Sequence, residues 1–263
     1  VAAALLGAGA GAGAYAGLVR LDRAGRFART NHAGHPVTLL EGPAVAAAAL
    51  ACAATVPGPP RLRAAAALAT GAGAVLGAWD DVAGSADARG LRGHLGALRR
   101  GEVTTGALKV VGLGAAGLTA GALVRRDPLD ALLAGGVVAG AANLVNLLDL
   151  RPGRAGKAVL LLCAPALARP GAAGDLLAGP VGATAALLVP DLRARSMLGD
   201  CGANALGALV GVGIAAATSR PVLAAHLAGI AALTVASERV SFTAVIERTP
   251  GLRELDGLGR AAR

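Results

Sequence analysis

Six polar residues are set into an otherwise apolar chain at spacings that could serve chemistry: the pair Asp80–Asp81, the series Asn143, Asn146 and Asp149, and Asp200. On a helix, positions 143, 146 and 149 fall within one arc of about 120°, so two amides and a carboxylate share a face. An Asp at mid-bilayer costs roughly 2.5–3.5 kcal/mol, and the cost falls where a helix meets water. Asp149 is followed by Leu150-Arg151-Pro152-Gly153-Arg154, which places it at such a boundary. Carboxylates are hard oxygen ligands that suit Mg²⁺, which usually takes one or two of them plus substrate phosphates. Gly199-Asp200-Cys201-Gly202 leads into an apolar run. A helix start there offers free N–H groups, and its glycines let backbone approach an anion. The set points to metal-assisted chemistry on a phosphate. Each carboxylate alone also reads as an interfacial charge or a helix cap, Asp200 above all, because Asp is favoured at N-caps and complements the helix dipole.

The elements that must carry these residues are apolar. The 263 residues are 55% hydrophobic with a mean hydropathy of +0.61. Only 16% are charged, against the roughly 25% of soluble domains. Forty glycines and many alanines suit either a low-complexity chain or membrane helices in close contact. Apolar runs near 20 residues, separated by short charged clusters, favour the second. The expectation is an all-α polytopic membrane protein of about nine transmembrane helices, near 1–19, 43–56, 64–79, 106–124, 129–148, 156–169, 173–190, 201–218 and 221–237. The first run lacks a basic leader and is read as a membrane helix rather than a removed signal. Alternate loops share the Lys and Arg unequally: 19 of the 25 fall on one side and 6 on the other. Positive residues stay inside, which puts the N-terminus outside and the tail in the cytoplasm. Asp80, Asp81, Asp149 and Asp200 all lie at cytoplasmic helix ends in this arrangement. The net charge of +9 is spread over loops rather than gathered on a soluble face, which argues against nucleic acid as a partner. Cys52, Cys163 and Cys201 have neither metal-ligand nor disulfide spacing.

The division expected is a transmembrane domain, 1–237, and a cytoplasmic tail, 238–263. In the tail, Thr249-Pro250 reads as a helix start with Thr as cap and Pro at the first position. Leu252, Leu255 and Leu258 then form an apolar stripe suited to the inner leaflet, with a loosely ordered tail as the alternative.

At these residues the chain resembles the polyprenyl-phosphate N-acetylhexosamine-1-phosphate transferase superfamily, which includes the phospho-N-acetylmuramoyl-pentapeptide transferase of peptidoglycan synthesis. Asp80-Asp81 resembles its paired aspartates. Asn143-x-x-Asn146-x-x-Asp149 resembles its N-x-x-N-x-x-D-G motif, and Met197-Leu198-Gly199-Asp200-Cys201-Gly202-Ala203 its F-M-G-D-T-G-S motif. Arg29-Thr30-Asn31-His32 resembles the first cytoplasmic loop. Gly93-His94-Leu95, Thr104-Thr105-Gly106 and Lys109 resemble the loop and start of the fourth helix. The resemblance covers about residues 20–210, in the family's order.

It implies attack of a polyprenyl phosphate on the sugar-bearing phosphorus of a UDP-N-acetylhexosamine derivative, giving a polyprenyl-diphospho-sugar and UMP in cell-envelope synthesis. By the same resemblance Asp200 holds Mg²⁺, Asp80 or Asp81 deprotonates or positions the lipid phosphate, and Asp149 supports the metal and nucleotide. Asn143, Asn146, His32, Lys109 and Arg154 bind substrate. The protein then sits in the plasma membrane with its site facing the cytoplasm, and a homodimer is compatible with that setting. The chain departs from the family at Pro152, where a second aspartate is usual, at Cys201 and Ala203 beside Asp200, and in lacking a histidine-rich loop. The departures feed a rival reading, a non-catalytic descendant that binds lipid phosphate or assists envelope assembly. A transporter would also use intramembrane carboxylates, but no inverted repeat is visible.

Overall fold

The computed structural model describes residues 1–31, 34–84 and 104–260. A helix coincides with each of the nine expected apolar runs: α1 (Ala2–Leu21), α2 (Glu41–Thr55), α3 (Pro60–Ala83), α4 (Thr105–Val124), α5 (Pro128–Leu148), α6 (Arg154–Leu167), α7 (Ala172–Leu192), α8 (Gly199–Ala217) and α9 (Arg220–Ser237). Among the described residues seven of these are long and apolar enough to cross a membrane, the signature of a multi-pass membrane protein. The remaining two, α2 and α6, are 15 and 14 residues long.

Local chemistry sets several boundaries. Asp127 accepts the Asp130 N–H at 3.0 Å and precedes Pro128, a side-chain cap followed by proline in the first turn. Thr104 caps α4 through the Ala107 N–H at 3.1 Å. After α1, Asp22 accepts the Arg26 and Phe27 N–H groups and turns the chain into a hairpin. That hairpin, β1 (Ala28–Thr30) against antiparallel β2 (Pro36–Thr38), and a parallel bridge from Thr38 to Ser196 are the departures from all-α structure among the described residues.

Helix α8 is the axis of the bundle and is buried continuously from Cys201 to Gly213. It lies between α3 and α5, with α2 and α7 against its other flanks. Small residues let backbones touch. A Cβ at Gly73 of α3 would stand 2.8 Å from the Asn204 carbonyl carbon, and one at Gly211 would stand 2.6 Å from the Val138 Cα of α5. Lipid tails give helices no hydrophobic reason to associate, so this close van der Waals packing supplies much of the cohesion. The abundance of glycine and alanine therefore serves helix contact rather than low complexity.

The tail differs from its sequence expectation. It forms α10 (Phe242–Arg248), capped by Ser241, and α11 (Leu252–Gly257). Thr249 is the C-cap of α10 rather than an N-cap, and α11 starts after Gly251, which has a positive φ of 83°. Asp256 of α11 is 8% exposed and receives both Nε and Nη2 of Arg154, at 2.8 and 3.0 Å. Lys157 donates to the carbonyls of Leu255, Asp256 and Leu258, satisfying the C-terminal end of α11. The tail is thus clamped to the start of α6. Leu258 remains 65% exposed.

Candidate functional site

One end of the bundle carries a cleft of about 640 Å³. It is built by the last turn of α3, the hairpin, the end of α5 with the loop after it, the loop before α8, and the first turn of α8. Asp80, Asp81, Asp149 and Asp200 all line it, with Asn146, Arg29 and Arg151.

The hairpin holds the loop that delivers α8. The Thr38 N–H donates to the Arg195 carbonyl at 3.1 Å, and the Met197 N–H donates to the Thr38 carbonyl at 3.0 Å. Ser196 donates its hydroxyl to Glu41, which is 2% exposed. Gly199 then takes a φ of +60°, and a Cβ there would press on both Asp81 carboxylate oxygens at 3.0–3.1 Å. Conformation and space both require glycine at this point.

Helix α8 has no side-chain cap of its own: its N-cap is Leu198. Asp81 supplies one from α3. Its Oδ1 accepts the Asp200 N–H and its Oδ2 the Cys201 N–H, each at 3.0 Å. Arg29 donates to the Asp81 carbonyl at 2.9 Å, tying the hairpin to the same turn. Asp200 therefore is not the cap, and its carboxylate is turned to another task. Lys109, from the first turn of α4, stands between Asp80, at 2.6 Å, and Asp200. The three side chains are 15–26% exposed, so this is a largely desolvated cation between two carboxylates.

Asp149 is the C-cap residue of α5 and is 7% exposed. Its Oδ2 has no hydrogen-bond partner among the described residues. Burial first, and the nearby Asp191 and Asp200 charges second, push its carboxyl well above the ordinary value, with an N–H from Gly199 pulling the other way.

Asp191 is a cleft residue that sequence reasoning missed. It ends α7, is 1% exposed, and neither carboxylate oxygen has a partner among the described residues. A buried unpartnered carboxylate is costly and calls for an explanation. The signal was available, since Asp191 is another carboxylate at the close of an apolar run, as Asp149 is.

The other expected site residues separate. Asn146 lines the cleft. Asn143 instead reaches Thr234 of α9 at 3.5 Å, bracing two helices. Arg154 is engaged by Asp256 and Thr243 and does not line the cleft, whose lining cations are Arg29 and Arg151. Lys109 is not part of the lining either and reaches the site only through its ion pairs with Asp80 and Asp200. His32 and the Gly93-His94-Leu95 segment lie outside the described residues.

Among the described residues no group of three His, Cys, Asp or Glu gathers closely enough to hold a metal by itself. Mg²⁺ needs only one or two carboxylates when phosphates complete its shell. Asp200 and the orphaned oxygens of Asp149 and Asp191 are chemically suited donors. No family model matches this chain, and no curated protein matches it significantly.

Proposed function

We propose that the cleft transfers a sugar-1-phosphate from a UDP-N-acetylhexosamine derivative to a polyprenyl phosphate, releasing UMP at the cytoplasmic face of the plasma membrane. The observation that carries this is the convergence of Asp80, Asp81, Asp149 and Asp200 at one end of an apolar helical bundle, beside Arg29 and Arg151. The motif resemblance over residues 20–210 supports the same reading, as does the 19-to-6 distribution of Lys and Arg, with all nine helices crossing.

In this reaction an oxygen of the lipid phosphate forms a bond to the sugar-bearing phosphorus as the bond to UMP breaks. Asp80 is the carboxylate of the pair available to orient the lipid phosphate or take its proton, because Asp81 is occupied by two N–H donors. Asp81 is a positioning residue. Lys109 holds Asp80 and Asp200 at a fixed separation and offers its charge to a phosphate. Arg29 and Arg151 attract the diphosphate, and Asn146 presents an amide to the substrate. Mg²⁺, held by Asp200 with Asp149 and Asp191 nearby, would neutralise phosphoryl charge.

The rival reading, a protein that binds lipid phosphate without turnover, draws on one specific observation. Both carboxylate oxygens of Asp81, and one each of Asp80 and Asp200, are already engaged by protein groups. The deciding experiment incubates membranes with labelled UDP-N-acetylhexosamines and polyprenyl phosphate, with and without Mg²⁺. Mg²⁺-dependent UMP and a labelled lipid are expected. Saturable lipid-phosphate binding with no UMP from any donor would establish the rival.

A further inference from the structure

The opposite end of the bundle carries a second and larger cavity, of about 730 Å³, within the range of small-molecule sites. It lies at the start of α3 and the end of α8, the ends remote from the carboxylates. Leu62 and Asp80 sit on the same helix, and at 1.5 Å per residue their levels differ by about 27 Å.

The cavity has a physical origin. Helix α6 has 14 residues, about 21 Å of helix, and contains Pro165 in its last turn. A hydrocarbon layer is about 30 Å thick. The helix stops short, and the space beyond it is walled by Leu62, Leu123, Leu161, Leu177 and Ile214. Water has few partners on such walls, and an empty void forfeits dispersion contacts along its lining.

The mouth is cationic. Arg61, Arg125, Arg126 and Arg169 line it, and no acidic residue does. Arg125 is engaged, donating to the Ala215 and Thr218 carbonyls at the end of α8. Arg61, Arg126 and Arg169 are exposed, and their guanidinium groups have no hydrogen-bond or ion-pair partner among the described residues. The nearest acid in sequence, Asp127, is the α5 cap and pairs with Arg220 at 2.8 Å. Guanidinium groups match phosphate oxygens in geometry and charge.

We propose that this cavity binds an anionic phospholipid, with acyl chain along the leucine walls and phosphate among Arg61, Arg126 and Arg169. The site is independent of the carboxylate cleft and of the reaction proposed for it. An apolar cavity ringed by unpaired cations selects a molecule with both features, which neither a neutral lipid nor a free phosphate has.

The test uses the full chain in detergent, titrated with phosphatidylglycerol, phosphatidylcholine or inorganic phosphate and followed by native mass spectrometry and thermal unfolding. Phosphatidylglycerol is expected to bind stoichiometrically and raise Tm, and the other two to do neither. Each Arg→Gln change should weaken phosphatidylglycerol by about fivefold, and Arg61→Gln/Arg126→Gln/Arg169→Gln together by about a hundredfold. Should the triple variant fail to fold, Arg126→Gln alone decides. Asp200→Asn should bind phosphatidylglycerol as the unaltered protein does. Equal stabilisation by phosphatidylcholine would remove headgroup recognition. Stabilisation by inorganic phosphate alone would make this a free-anion site. Retained affinity in the arginine variants, or its loss in Asp200→Asn, would overturn the placement.

Discussion

The carboxylate of Asp81 caps the first turn of α8, spanning 119 residues of sequence to accept the Asp200 N–H at 3.0 Å. One residue thereby fixes where α8 starts and which way the Asp200 side chain turns. With the N-terminal amides satisfied from α3, Asp200 is left to face Lys109.

Asp81→Asn tests this relationship. Asparagine keeps one acceptor oxygen but loses the second and the charge that complements the helix dipole. The expected cost is about 1–2 kcal/mol, a drop of several degrees in Tm. Transfer activity should fall with it, since the Gly199–Cys201 turn is no longer held. Unchanged Tm with unchanged activity would remove Asp81 as the organiser of the site.

Asp200→Asn separates a chemical role from a structural one. Because Asp200 does not cap its helix, the substitution should leave Tm nearly unaltered. Turnover should fall at least about a hundredfold if its charge anchors the metal and phosphate. Activity within about threefold of the unaltered protein at saturating Mg²⁺ would take Asp200 out of the chemistry.

Lys109→Met leaves Asp80 and Asp200 facing each other without the cation between them. Two close, partly buried carboxylates repel, so a lower Tm is expected, recovered in part by adding Mg²⁺. The same Mg²⁺ series on the unaltered protein should give a smaller shift, because Lys109 already supplies the countercharge. Thermal unfolding of both proteins across Mg²⁺ concentrations measures the difference, and equal shifts would show that Lys109 and the metal do not share a place.

The sequence made the apolar helices and the carboxylate set legible for the same reason: a charge in a long apolar run is costly, so Asp80, Asp81, Asp149 and Asp200 stand out. It concealed what depends on distant partners. Nothing near Asp81 announces a helix start beyond residue 198, and nothing near Arg154 announces Asp256. The strands at 28–30 and 36–38 are too short for an alternating pattern, and their pairing is reinforced by Arg195 and Met197. Thr249-Pro250 carries a genuine helix-start signal, but Thr249 ends α10 through its bonds to Val245 and Ile246. Asp191 was legible by the rule that found Asp149, since it directly follows the apolar run 173–190.

The tail clamp gives the last prediction, and it reaches the cleft. Arg260 donates to the Pro152 carbonyl at 2.9 Å and to Asp256 at 2.8 Å, so the tail holds the rim on which Arg151 and Pro152 lie. Burial alone would raise the Asp256 carboxyl. The hydrogen bonds from Arg154 and Arg260 outweigh it and hold the group below its ordinary value. A carboxyl depressed in the folded state adds stability above its unfolded pKa of about 3.9, and that stability is lost as pH falls through the lower folded value. The tail should therefore stay docked at neutral and mildly acidic pH and release only below about pH 4. Asp256→Ala should release it at every pH, because it leaves Arg154 buried without a counterion, at a cost of about 3 kcal/mol. Limited proteolysis between Thr249 and Arg260, followed across pH in both proteins, measures the release. Transfer assays on the variant should show a raised KM with kcat little changed, since the rim loosens while Asp80, Asp81 and Asp200 stay in place. A tail equally protected in Asp256→Ala, or a KM unmoved by its release, would show that the clamp and the cleft are uncoupled.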